Sequence, residues 1–79
     1  MRRYLAELYL PKNADIASAT ARAKAAAEPG PARYVRSIFV PEDETWFLLY
    51  EASTMEAVEE AVEAASLPCA RIVEAVAPR

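Results

Sequence analysis

Four residues, Pro41-Glu42-Asp43-Glu44, separate two strongly apolar runs, Arg33 to Val40 (RYVRSIFV) and Thr45 to Glu51 (TWFLLYE). Both runs are rich in aromatic and β-branched residues, as strands are. A four-residue connection cannot carry a parallel crossover, so the two strands must form an antiparallel hairpin. Proline fixes φ and ends the first strand, and acids are ordinary turn residues. The acidic tip therefore reads as a turn. A hard cation would bind it weakly, because it lacks the spaced ligands of a calcium loop.

The hairpin lies mid-chain, and the segments on either side of it set the architecture. Arg3 to Leu10 (RYLAELYL) reads as a strand stopped by Pro11. Asn13 or Asp15 can cap the alanine-rich run Ile16 to Ala27, and alanine has the highest helix propensity. Its buried stripe would be Ile16, Ala19 or Thr20, Ala23 and Ala26 or Ala27, until Glu28 to Pro31 (EPGP) ends it. After the hairpin, Ser53 and Glu56 have the spacing of a capping box. The helix that follows places Met55, Val58, Ala61, Val62 and Ala65 on one face and Glu56, Glu59, Glu60 and Glu63 mainly on the other. Leu67 and Pro68 break it, and Ala70 to Val76 (ARIVEAV) is a fourth strand. The order β-α-β-β-α-β predicts a single α+β domain over residues 1–79, of the ferredoxin-like kind: a four-stranded antiparallel sheet, order 4-1-3-2, with both helices on one face.

At 79 residues a chain buries a modest share of its surface, and small domains of this size usually need a staple. One cysteine excludes an internal disulfide, and one cysteine with no histidine argues against a zinc-type structural site. Self-association is the remaining route. No run approaches the ~18 apolar residues of a membrane span, no signal peptide is evident, and a lone thiol suits a reducing compartment, so a cytoplasmic location is expected. The formal net charge of −3 argues against nucleic acid. Charge is uneven, with seven basic and three acidic residues in 1–40 against two and nine in 41–79. Solvated helix faces account for this, although it could also orient two copies.

Period-two alternation predicts which side chains face the helices. The helix side would take Ala6, Leu8, Val35, Phe39, Trp46, Leu48, Val73 and Ala75. The open side would take Leu5, Tyr9, Tyr34, Ile38, Val40, Phe47, Leu49, Ile72 and Val76, together with Glu7, Glu51, Glu74 and Arg36. Such a face is too apolar for water and reads as an interface, which suggests two sheets stacked into a dimeric α/β barrel. Glu7, Tyr9, Arg36, Glu51 and Glu74 are then the candidate ligand-binding cluster. Three carboxylates against one guanidinium leave negative excess, to be met by a raised pKa or a bound cation, unless the cluster is an inter-strand salt-bridge network with no ligand. Cys69, without a histidine partner, is excluded as a papain-like nucleophile and reads as a small hydrophobe, with Arg71 near enough in sequence to lower its pKa. No phosphate loop, dinucleotide fingerprint or Ser-His-Asp set is present.

Three segments, RYLAELYLP, VRSIFVPEDETWFLLYEAST and LPCARIVEAV, resemble a family of small bacterial proteins that includes a nickel-binding, ferredoxin-like member. The middle motif is the most specific, and the resemblance covers nearly the whole chain except the alanine-rich helix. It implies a ferredoxin-like fold, a homodimer and binding of Ni2+. Nickel is ordinarily held by imidazole or thiolate, and an oxygen-only site would be weak for it. The resemblance therefore supplies no ligand set residue by residue. Three functions fit the sequence. The first is a small dimeric binding protein for a metal or small ligand, without catalysis. The second is a cofactor-free dimeric barrel enzyme using a carboxylate as acid or base. The third is a structural interaction module with no ligand.

Overall fold

The computed structural model describes residues 1–28, 30–68 and 71–76. Its elements run β1 (Arg2–Tyr9), α1 (Ile16–Ala27), β2 (Arg33–Val40), a 3-10 turn (Pro41–Asp43), β3 (Thr45–Ala52), α2 (Met55–Ala64) and β4 (Arg71–Ala75). All strand pairs are antiparallel, in the order β2-β3-β1-β4, which read from the other edge is 4-1-3-2. This is a ferredoxin-like α+β fold. Cys69, singled out above, lies outside the described residues, and no described helix is long and apolar enough to cross a membrane.

Local chemistry explains where each element begins and ends. The Asp15 carboxylate accepts from the Ser18 amide and caps α1, leaving Asn13 without that role. The cap of α2 is Thr54 and not Ser53: Thr54 Oγ1 accepts from the Ala57 amide, so the cap falls one residue later than expected, and Ala57 at the third helical position supplies no reciprocal capping-box bond. The end of α2 is a Schellman motif built without glycine. Ser66 adopts φ 57°, its amide donates to Glu63, the Leu67 amide donates to Val62, and the buried Leu67 closes the hydrophobic contact.

The hairpin tip is a turn and also a tether. Glu44 is left-handed, with φ 47° and ψ 41°. Its carbonyl accepts from the Leu10 amide and its carboxylate accepts from the Lys12 amide at 3.0 Å. The tip of β2-β3 is thereby fastened to the loop that follows β1.

One core lies between the sheet and both helices. Trp46, Leu48 and Tyr50 of β3 and Tyr4, Ala6 and Leu8 of β1 supply the sheet side. Ala19, Ala23 and Ala27 of α1 and Ala57, Val58, Ala61 and Val62 of α2 supply the helix side. The helices bring small side chains and the sheet brings large ones, so α1 sits close while Trp46 and Tyr50 fill the volume. Tyr34 packs edge-on against Tyr50, with ring centroids 6.1 Å apart, as an extension of this core.

The structure departs from the simple alternation at two places. Tyr34 was expected on the open side, with Val35 inward. A β-bulge between Tyr34 and Arg36 leaves Val35 unpaired and resets the alternation, so Tyr34 stands opposite Tyr50 on the helix side. In β4 the expected faces are exchanged. Ala6 pairs with Ile72 and Tyr4 with Glu74, placing both on the helix side, whereas Arg71, Val73 and Ala75 pair with Glu7, Leu5 and Arg3 on the open side. A short edge strand with an apolar residue on each face gives no decisive alternation; its register against β1 decides.

Candidate functional site

Strand registers lay out the open face as rows across the sheet. The first row is Arg33, Glu51, Arg3 and Ala75; the second is Arg36, Leu49, Leu5 and Val73. The third is Ile38, Phe47, Glu7 and Arg71, and the fourth is Val40, Thr45 and Tyr9. Successive rows are two residues apart along each strand, or roughly 7 Å, except across the β2 bulge, where Arg33 and Arg36 are three apart.

Of the five expected site residues, Glu7, Tyr9, Arg36 and Glu51 occupy this face, and Glu74 does not. Nor do the carboxylates converge. Glu51 lies in the first row and Glu7 in the third, four residues along β1, which is roughly 13 Å. Each has a local partner. Glu51 Oε1 accepts from Arg33 Nη2 at 2.6 Å and Glu51 Oε2 accepts from Arg3 Nε at 3.3 Å, bridging three strands. Glu7 Oε1 faces Arg71 Nε at 3.4 Å. Hydrogen bonding from Arg33 holds the Glu51 carboxyl below its usual range; partial burial opposes this, and the charges of Arg33 and Arg3 reinforce it. Glu51 is therefore kept ionised, the reverse of what a general acid requires.

The middle of the face is apolar. Leu5, Phe47, Leu49 and Val73 are half-buried, and Ile38 is 57% exposed. A shallow depression of about 70 Å³ is lined by Leu5, Arg36, Ser37, Ile38, Phe47 and Leu49. Larger concavities of about 410 and 370 Å³ lie at the end of α1 and between α2 and β4, and none of the five expected site residues lines either.

Arg3, Arg33 and Arg71 were not expected in the site. With them, the described open face carries four guanidinium groups against two carboxylates. The expected negative excess becomes positive, on a chain whose overall charge is −3. The signal that could have located Arg33 and Arg71 was partner charge. Each stands directly opposite a glutamate on the neighbouring strand, an arrangement that stabilises a pair by ~0.2–1 kcal/mol.

Residues 4–75 match the family model described as nickel responsive protein SCO4226-like. The chain belongs to this family. A solved relative in fold, the crystal structure of SCO4226 from Streptomyces coelicolor A3(2), aligns with a TM-score of 0.84 over 98% of this chain and 99% of that one, at 16% identity. At that identity the likeness is one of fold. No curated protein matches the chain.

The family's description raises nickel, and the described residues of this SCO4226-like chain do not fit a nickel centre within one subunit. The sequence has no histidine. Among the described residues no three of Cys, Asp and Glu are grouped closely enough to hold a metal ion. The two carboxylates of the open face are engaged by arginine, which a divalent cation would have to displace.

Proposed function

We propose that this SCO4226-like protein is a non-catalytic binding protein that works as a homodimer, with the open sheet face as its binding surface. The observation that carries this reading is the apolar middle of that face, Leu5, Ile38, Phe47, Leu49 and Val73, framed by cross-strand ion pairs. An uncovered apolar patch rimmed by charge is the usual form of an interface. A second copy would bury it and add the core that so short a chain otherwise lacks. Two sheets stacked in this way enclose space between them, as in a dimeric α/β barrel.

The enzyme reading finds less support, since Glu51 is held ionised by two arginines and Glu7 faces Arg71. Nickel is not assigned as a resident ligand of one chain, because the donor set does not suit it.

Sedimentation velocity at micromolar concentration tests the reading. The expected species has twice the 8.7 kDa subunit mass. Leu49→Asp should shift it to monomer, because the charge would be stranded in the covered face. A wild-type monomer would overturn the proposal. Calorimetric titration of chelator-treated protein with NiCl2 should give no stoichiometric high-affinity site; one Ni2+ bound tightly per chain would overturn the misfit.

A further inference from the structure

We propose that the open face takes a small organic anion, a carboxylate with a compact apolar body, and that Arg36 is the residue that receives it. This deepens the binding reading above and rests on the open face being the binding surface.

Four guanidinium groups and two carboxylates leave the face positive, so it attracts anions and repels free divalent cations. Three of the four arginines are committed: Arg3 and Arg33 to Glu51, and Arg71 to Glu7. Arg36 has no ion-pair partner among the described residues. Solvent meets its needs in a lone subunit. Once a second copy covers the sheet, an unpaired guanidinium is costly and calls for a counter-charge.

Arg36 opens the paired stretch that follows the β-bulge, the one irregularity in the described strand ladders, and bulges commonly re-aim a side chain. It emerges beside the depression lined by Leu5, Ile38, Phe47 and Leu49. The guanidinium offers a planar fork that matches a carboxylate with two parallel hydrogen bonds, and the apolar floor alongside suits a hydrocarbon or aromatic body. Glu51 and Glu7 do not compete for Arg36, each having its own partners in the first and third rows.

Benzoate is the probe, with benzylamine and benzyl alcohol as cationic and neutral controls of the same body. Calorimetry on the full chain should show benzoate binding, with both controls at least ~10-fold weaker, as loss of a charge-assisted hydrogen bond implies. Arg36→Gln should weaken benzoate by at least ~10-fold without changing the sedimentation mass. Arg36→Lys should recover part of the loss, because it restores charge but not the fork. No benzoate binding by a wild-type dimer would overturn the proposal and leave the dimer standing. So would equal binding by Arg36→Gln, or a dimer that dissociates in Arg36→Gln, which would assign the counter-charge to the second copy. A wild-type monomer that still binds benzoate through Arg36 would overturn the dimer and leave the anion site standing.

Discussion

Glu51 is held between two guanidinium groups that reach it from neighbouring strands on either side. Because its folded-state pKa lies below the unfolded value, the unfolded chain binds the extra proton as acid is added. The stabilisation is therefore fully present above the usual glutamate range and is lost as pH falls through the lowered folded value. Glu51→Gln should lower the urea midpoint at neutral pH, and the gap between variant and wild type should close in strong acid. A gap independent of pH would mean the carboxylate contributes by packing alone. Glu44 acts differently, through geometry. Its carboxylate accepts from the Lys12 amide while its backbone stays left-handed, so Glu44→Ala keeps the unfavourable φ and loses the bond. A loss of about 1 kcal/mol is expected by chemical denaturation. Glu51 was recognisable in the sequence as facing the open side, but its two partners were not. Arg3 follows the open-side alternation of Leu5 and Glu7 but meets Glu51 only through the β1-β3 register, and Arg33 becomes a partner only through the β2-β3 register.

The elements follow closely from local chemistry, and their ends are where tertiary context intervenes. Alanine-rich and glutamate-rich segments of helical period gave α1 and α2, and Pro41 with three acids gave the hairpin. The cap fell one residue beyond the Ser53 position because Thr54 and Ser53 are both competent caps. Thr54→Ala should cost about 1 kcal/mol, whereas Ser53→Ala should change stability by less than half of that. Far-UV melting curves of the two variants test the assignment directly. At the other end of α2, Ser66 holds a conformation that favours glycine. Ser66→Gly should stabilise by about 0.5–1 kcal/mol if the Schellman motif is retained, and a loss would mean the serine hydroxyl has a structural partner.

For the whole molecule, the balance of charge between the two sides of the sheet is the property that matters. A chain of net charge −3 presents a positive sheet face, while the glutamates of α2 point to solvent on the other side. The core depends on few large residues. Leu48→Ala, at a fully buried central position, should cost ~2–5 kcal/mol, enough to unfold much of a small domain. If two copies share the open face, the melting temperature should rise with protein concentration, since association stabilises the folded state by mass action. A concentration-independent melt would indicate a subunit that is stable alone.

Composition, spacing and turn chemistry were sufficient for the strands, the helices, their order and the existence of an apolar open face, because these depend on residues within a few positions of one another. The character of that face was not accessible in the same way. It depended on one bulge that turned Tyr34 into the core, and on the register of a short edge strand that moved Glu74 off the face and Arg71 onto it. In a sheet, a shift of one residue exchanges the two sides, and nothing local reports it where both sides are partly apolar. The bulge brought Arg33 onto the face and the β4 register exchanged Glu74 for Arg71; with Arg3, which follows the alternation of Leu5 and Glu7, the expected negative excess became four arginines against two carboxylates, a positive face.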